Sequence, residues 1–328
     1  MRELTYISAI YEAQREEMER DPRTFIMGQD IEANVFGTTT GFVEAFGSER
    51  VRNAPLSENG FVGAAAGAAM AGMRPIVDFT IASFIYVAMD QLVSIIAKAT
   101  YMYGGQTKVP VVLRAAMFYA GSNAAQHSDR PHPMLMTVPG LKIITPSGPY
   151  DVKGLLKTAI RDDDPVIVFE DSTLWFSKEQ VPEEEYLIPL GQAAIKREGT
   201  DVTVVAIAGS VPHALRAADT LASDGISVEV IDPRCLVPLD KDTILTSVEK
   251  TGHLVVVDPA HKTCSAASEI AAVVAEEGFW SLDSPITRVT TPDVHPPFSP
   301  PLEEVMYPTS DSIADAARRS LTSTLAPT

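Results

Sequence analysis

The stretch 58-ENGFVGAAAGAAMAGMRPIVDF-79 decides how this chain is read. Residues 58 to 72 are almost all small and read as a helix, while 75-PIVDF-79 is short and β-branched and reads as a strand following it. Gly60, Gly63 and Gly67 lie inside the helical run, and each costs roughly 1 kcal/mol relative to alanine there. Such a helix suits close approach rather than intrinsic stability: another chain or a flat ring can come near its backbone. Glu58 is the only charge before Arg74 and stands at the helix entrance. By itself it reads equally well as an acid complementing the helix dipole beside a Ser57 cap or as a buried acid with a chemical task.

Working outward, the same alternation recurs. The runs 24-TFIMG-28, 109-VPVVLR-114, 141-LKII-144 and 165-PVIVFE-170 predict strands, and 86 to 102 and 149 to 161 predict helices. The first segment predicts an amphipathic helix, with Ile7, Ile10, Tyr11 and then Ala13 or Met18 at helical spacing. Residues 171-DSTLWFSKEQVPEEEYLIPLGQ-192 break the rhythm with two prolines and an acidic cluster, which divides the chain into domains at 1–185 and 186–328. A second unit follows, with strands at 202-VTVVAIA-208, 226-ISVEVID-232 and 253-HLVVVD-258 and helices near 211 to 224 and 240 to 250. Alternating strands and helices predict an α/β fold of two mostly parallel sheets, each covered on both faces. The tail 292-PDVHPPFSPPLEEVMYP-308 is too proline-rich for regular structure and is expected to wrap across a surface.

Composition narrows the function classes. With 26 basic against 43 acidic residues and a net charge of −17, a nucleic-acid surface or an anionic membrane is excluded as partner. Charges throughout the first twenty-odd residues argue against a secretory signal, and no apolar run reaches the ~20 residues of a membrane span. A cytoplasmic protein is expected. Cys235 and Cys264 lack metal-ligand spacing and are read as buried thiols. There is no GxGxxG, no GxxxxGK followed by Ser or Thr, no GxSxG and no HExxH, so the common nucleotide, hydrolase and zinc-protease chemistries lack their parts.

A second candidate site is 121-GSNAAQHSDRPHP-133, a polar loop after a predicted strand, where α/β sheets bind ligands. It holds His127 and His132, each of which by itself reads as an ordinary solvated or hydrogen-bonding side chain. The aromatics of 84-FIYVAMDQ-91 read as core.

Together, PLSENGFVGAAAGAAMAGMRPIVDF from Pro55, MDQLVSIIAKATYMYGGQTKVPVVLR from Met89, QHSD from Gln126, PGLKIITPSGPYDVKGLLKTAIRDDDPVIVFE from Pro139 and EVIDPRCLVPLD from Glu229 closely resemble the β subunits of thiamine-dependent 2-oxoacid dehydrogenases. These form part of the decarboxylating first component of pyruvate, branched-chain oxoacid and acetoin complexes. The resemblance runs from Leu4 to about Ile313. It implies a transketolase-like pyrimidine-binding domain followed by a transketolase C-terminal-like domain. It implies an oxidoreductase that decarboxylates or cleaves a small oxo substrate and passes the acyl group to a lipoyl carrier. Thiamine diphosphate would be shared with an α subunit that supplies the diphosphate and Mg2+ motif missing from this chain. An α2β2 heterotetramer and a lipoyl acyltransferase core follow as partners. The alternatives are a split transketolase or carboligase subunit without a lipoyl partner, or a non-catalytic scaffold, which retention of Glu58 and His127 opposes.

Residue by residue, the resemblance gives Glu58 a role at the cofactor's aminopyrimidine, places Leu56 and Phe84 where that ring packs, and makes His127 the active-site histidine. Ala159, Asp162 and Asp164 align with a loop that in some members binds a monovalent cation such as K+ through backbone oxygens, against the plainer reading of an acidic turn. Departures are QHSD at 126–129, 117-MFYAGSNAA-125 and 28-GQD-30. They lie on the substrate side, and Met117, Phe118 and Tyr119 are expected to crowd the pocket in favour of a small substrate.

Overall fold

The computed structural model describes residues 1–323. Its strands are β1 (Arg2–Thr5), β2 (Thr24–Gln29), β3 (Val51–Ala54), β4 (Arg74–Ile81), β5 (Val112–Met117), β6 (Lys142–Ile144), β7 (Val166–Asp171), β8 (Lys178–Val181), β9 (Ala194–Arg197), β10 (Val202–Ala206), β11 (Val228–Asp232), β12 (Cys235–Val237), β13 (Leu254–His261) and β14 (Thr287–Thr291). A seven-stranded sheet runs β12-β6-β7-β5-β4-β2-β3, and a five-stranded sheet runs β14-β13-β10-β11-β9. Both are parallel except at one edge, where β12 pairs antiparallel with β6 and β9 antiparallel with β11. A small antiparallel ribbon joins β1 to β8.

The inner parallel strands are buried on both faces, which is why they read as mostly apolar runs, whereas the edge strands β3 and β14 are partly exposed and polar. On one face of the first sheet, helix Glu58–Met70 contributes Phe61, Val62, Ala65 and Ala69 to a core that continues into the second sheet through Val205, Ile231 and Val256. On the other face, helix Tyr6–Arg20 and helix Pro149–Arg161 pack Tyr6, Ile10, Val152 and Leu155 against Ile76 and Val112. The second sheet's outer face carries helix Ser210–Ser223 and helix Ser310–Thr322.

Two expectations need correction. The run 86 to 102 is not one α-helix but a 3-10 segment, Ala82–Ala88, a π segment, Asp90–Ile96, and a single α turn, Ala99–Met102. Ile85, Val87, Val93, Ile95 and Ile96 are β-branched and stiff against the preceding turn, and the Ala97 carbonyl must approach Gly140 so closely that an added Cβ would lie 2.1 Å away. Cys264 is exposed rather than buried. Among the described residues no single helix is long and apolar enough to cross a membrane.

The two halves also meet through charge. Asp151 on helix Pro149–Arg161 is fully buried and pairs with Lys196 on β9 and with Arg234, whose Nη2 lies 2.7 Å away. Beside them Asp232, at the end of β11, is pushed up to about 6 by burial and then by repulsion from Asp151. A carboxyl whose folded pKa is raised loses stabilisation as pH rises through that value. Asp232→Asn should remove that loss. Denaturant unfolding between about pH 4 and pH 7 should show the variant gaining on the unmodified protein, by at most about 3 kcal/mol. Parallel pH profiles would contradict this.

Candidate active site

Strands β2 to β5 are mutually parallel, so their carboxyl ends share one edge, and the segments leaving it build the site. After β3 the chain turns through Pro55, Leu56 and Ser57 into helix Glu58–Met70. The Ser57 side chain makes no cap bond. Glu58 is 8 % exposed, and among the described residues no hydrogen bond or ion pair occupies its carboxylate. Its oxygens are not among the enclosed polar atoms left without a partner, so the carboxylate faces an opening at the strand edge, and the positive end of the helix favours its charge there.

After β4 comes the 3-10 segment Ala82–Ala88, which packs against the Glu58 helix on one side and helix Ala124–His127 on the other. It carries Phe84, half-buried, whose ring meets that of His127 edge-on at 5.7 Å. His127, reached after β5, is itself half-buried. Phe84 and His127 are therefore in direct contact, with the Glu58 helix packed on the segment that carries Phe84. Leu56 is 75 % exposed, projecting from the same edge with nothing of this chain over it.

Tyr86 was missed, because an aromatic in a mostly apolar run reads as core. It lies at the site's rim with its hydroxyl pushed up to about 12, by burial first and then by Asp129 of the QHSD segment.

Met117 and Phe118 line no pocket beside the Phe84–His127 pair, and Tyr119 lines a different cavity, with Ser122, Gly209, His213 and Tyr307. Met117 is fully buried in the core, Phe118 packs between Phe36 and Trp175 at 5.1 and 4.8 Å, and the Tyr119 hydroxyl donates to buried Asp171. Alternation along the end of β5 turns these side chains into the sheet's two faces. Nor does His132 join the site: its Nε2 lies 3.1 Å from Asp258 Oδ1 on β13, both groups fully buried. The proline-rich tail does pack across a surface, with Glu303 accepting from the Ser122 N–H at 2.6 Å and Tyr307 packing on Tyr119, but it is not without regular structure, since Pro300–Glu303 forms a short helix.

Ala159, Asp162 and Asp164 form a turn that already holds two cations. Lys142 Nζ lies 2.8 Å from Asp162 and 3.1 Å from Asp164, and Arg74 donates to the Asp162 carbonyl at 3.1 Å. The Ala159 carbonyl accepts from the Asp162 N–H. An added monovalent ion would face both positive groups, so the turn as folded does not fit one.

The transketolase pyrimidine-binding domain family matches residues 2–175 and the transketolase C-terminal domain family residues 191–313. The β subunit of the Bacillus subtilis acetoin:2,6-dichlorophenolindophenol oxidoreductase is 44 % identical over 326 residues, 95 % of each chain. The chain belongs to this family of β subunits. The β subunit of the pyruvate dehydrogenase E1 component of Bacillus subtilis is 40 % identical over 324 residues, 98 % of this chain and 99 % of that one. A solved split-gene transketolase, an inactive β4 tetramer, superposes with a TM-score of 0.80 at 24 % identity over 97 % of this chain and 98 % of its own, which shows the fold. Transketolase-like first-component β subunits are thiamine diphosphate dependent and work as part of heteromeric enzymes, so a thiamine cofactor and an α partner come with membership.

Proposed function

We propose that this chain, with an α partner, cleaves or decarboxylates a small oxo substrate, acetoin or a pyruvate-like 2-oxoacid, and passes the acyl group to a lipoyl carrier. The observation that carries the reading is the Glu58 carboxylate, nearly buried, without an internal partner, and opening a small-residue helix beside the Phe84–His127 pair. When bound, thiamine diphosphate would supply a thiazolium carbon as the nucleophile and its own aminopyrimidine as the base. Glu58 would hold a proton at the far pyrimidine nitrogen and so keep the ring's amino group available as a base. Leu56 and Phe84 flank the ring. His127 donates to the substrate carboxylate or to the acyl acceptor, and Tyr86 closes the rim.

The α partner supplies the diphosphate and Mg2+ contacts, for which this chain has no phosphate loop. An α2β2 assembly is favoured by the exposed strip of Gly60, Ala64 and Gly67 on the Glu58 helix, where an added Cβ at Gly67 would meet nothing. We place the division of the chain at 185/186, in the linker between the two matched segments.

Purifying the chain with its α partner and assaying ferricyanide reduction across acetoin, pyruvate, branched 2-oxoacids and 2-oxoglutarate tests the reading. Thiamine-dependent turnover fastest with acetoin or pyruvate is expected. A preference for 2-oxoglutarate, or no thiamine-dependent turnover with any of them, overturns it.

A further inference from the structure

Asp78 lies in the 75-PIVDF-79 strand run and has no role assigned so far, yet it stands where β4 changes course. The β4–β5 ladder pairs Asp78 with Arg114 and next pairs Ile81 with Ala116, so β4 carries one residue more than β5 across this interval. The extra residue makes a bulge, a device that re-aims the chain after it. Within it Thr80 has φ 67, a left-handed conformation that a β-branched residue avoids. The bulge is held by one side chain, since the Thr80 N–H donates to Asp78 Oδ1 at 2.8 Å.

Asp78 Oδ2 in turn lies 3.0 Å from Arg114 Nη1. Arg114 is 2 % exposed and fixed by paired contacts to Glu170 on β7, at 2.6 and 3.0 Å, and by Gln14 at 2.8 Å. On the far side β2 offers Gly28, where an added Cβ would lie 2.3 Å from the Asp78 carbonyl. The chain is thus clamped at Asp78 from both neighbouring strands, strained at Thr80, and released at Ala82 into the segment carrying Phe84 and Tyr86.

We infer that Asp78 is a positioning residue: by holding Thr80 in its left-handed bulge it sets the path of residues 82–88 and so the place of Phe84 against His127 and the cofactor ring. This rests on the reading of Phe84 as a cofactor contact. The strain is maintained by a hydrogen bond to an ion-paired carboxylate, so weakening that carboxylate should let the bulge relax. A glycine at 80 adopts the same φ without strain and no longer needs the clamp.

The test compares the unmodified chain, Asp78→Asn, Thr80→Gly and the double variant, each assembled with the α partner. It reads thiamine diphosphate affinity by calorimetry and amide hydrogen exchange across residues 79–88 in the cofactor-free complex. Asp78→Asn should weaken cofactor binding and speed exchange in that segment, each about tenfold. Thr80→Gly should leave both near the starting value, and the double variant should recover most of what Asp78→Asn loses. A merely structural role, balancing the Arg114 charge, would not be rescued from residue 80, so failure of the double variant to recover overturns the inference, as does an Asp78→Asn complex unchanged in both readouts. Should Asp78→Asn not assemble, a tenfold loss in Thr80→Gly alone overturns it too. Failure of the unmodified complex to bind thiamine diphosphate would instead sink the proposed function, while the exchange measurement would still report on the bulge.

Discussion

Replacing Glu58 with Gln should lower turnover by at least ~10²-fold while leaving folding and assembly intact. Gln keeps the size and a hydrogen-bonding amide at a site 8 % exposed, but its oxygen cannot take up the pyrimidine proton as a carboxylate does. Because among the described residues none leans on Glu58 for a hydrogen bond or an ion pair, the change leaves no orphaned partner among them. The stability cost should therefore stay near that of a first-turn acid, about 1 kcal/mol or less. Deuterium exchange at the thiazolium carbon of the bound cofactor should slow in parallel with turnover, since that proton is the one whose loss Glu58 is proposed to promote. A Glu58→Gln complex that exchanges and turns over at the original rate would make the residue a helix-end acid and nothing more.

The second large effect is one of assembly. Titrated by itself with thiamine diphosphate and Mg2+, the chain should bind more weakly than micromolar, and adding the α partner should restore tight binding. Most of the cofactor's charge sits on its diphosphate. Among the described residues no group of three or more His, Cys, Asp or Glu side chains is placed to hold a metal ion, and a net charge of −17 opposes an anion throughout. What remains is the proposed ring site of Leu56, Glu58 and Phe84, one of whose members is mostly solvent-exposed. Micromolar or tighter binding to the isolated chain would show that it carries a diphosphate site of its own.

The fold was legible wherever a strand is buried on both faces. The apolar runs at 24, 75, 141, 165, 202 and 253 all fall on parallel strands to within a few residues, and helix Pro149–Arg161 has the bounds its pattern gives. Edge and ribbon strands were not: β1, β8, β9 and β12 are short and at least half polar or irregular, and their pairing comes from distant chain segments. Segment 82–88 was illegible for a related reason, because its conformation is imposed by the Thr80 bulge, by β5 and by the Glu58 helix. At the site, Glu58 stood out as a lone charge in a small-residue run. The predicted strand ends at Arg114, three residues short of the end of β5 at Met117, so the alternation that turns Met117 into the core extends beyond the predicted run. Tyr119 is explained only by its hydroxyl's partner, Asp171, more than fifty positions away.

The strand β12 bears on how such chains can be recombined. By sequence it lies inside the segment matched by the C-terminal family, residues 191–313, yet it hydrogen-bonds to the first sheet, with Cys235 opposite Ile144 and Val237 opposite Ile143. Grafting the second half of a relative onto this first half would exchange one strand of the first half's own sheet. A first-half fragment would leave the edge of β6 uncovered, the sort of edge that recruits other chains. The two units are modular in sequence but interlocked in space, and which grafts succeed is decided at Ile143 and Ile144 rather than in the linker.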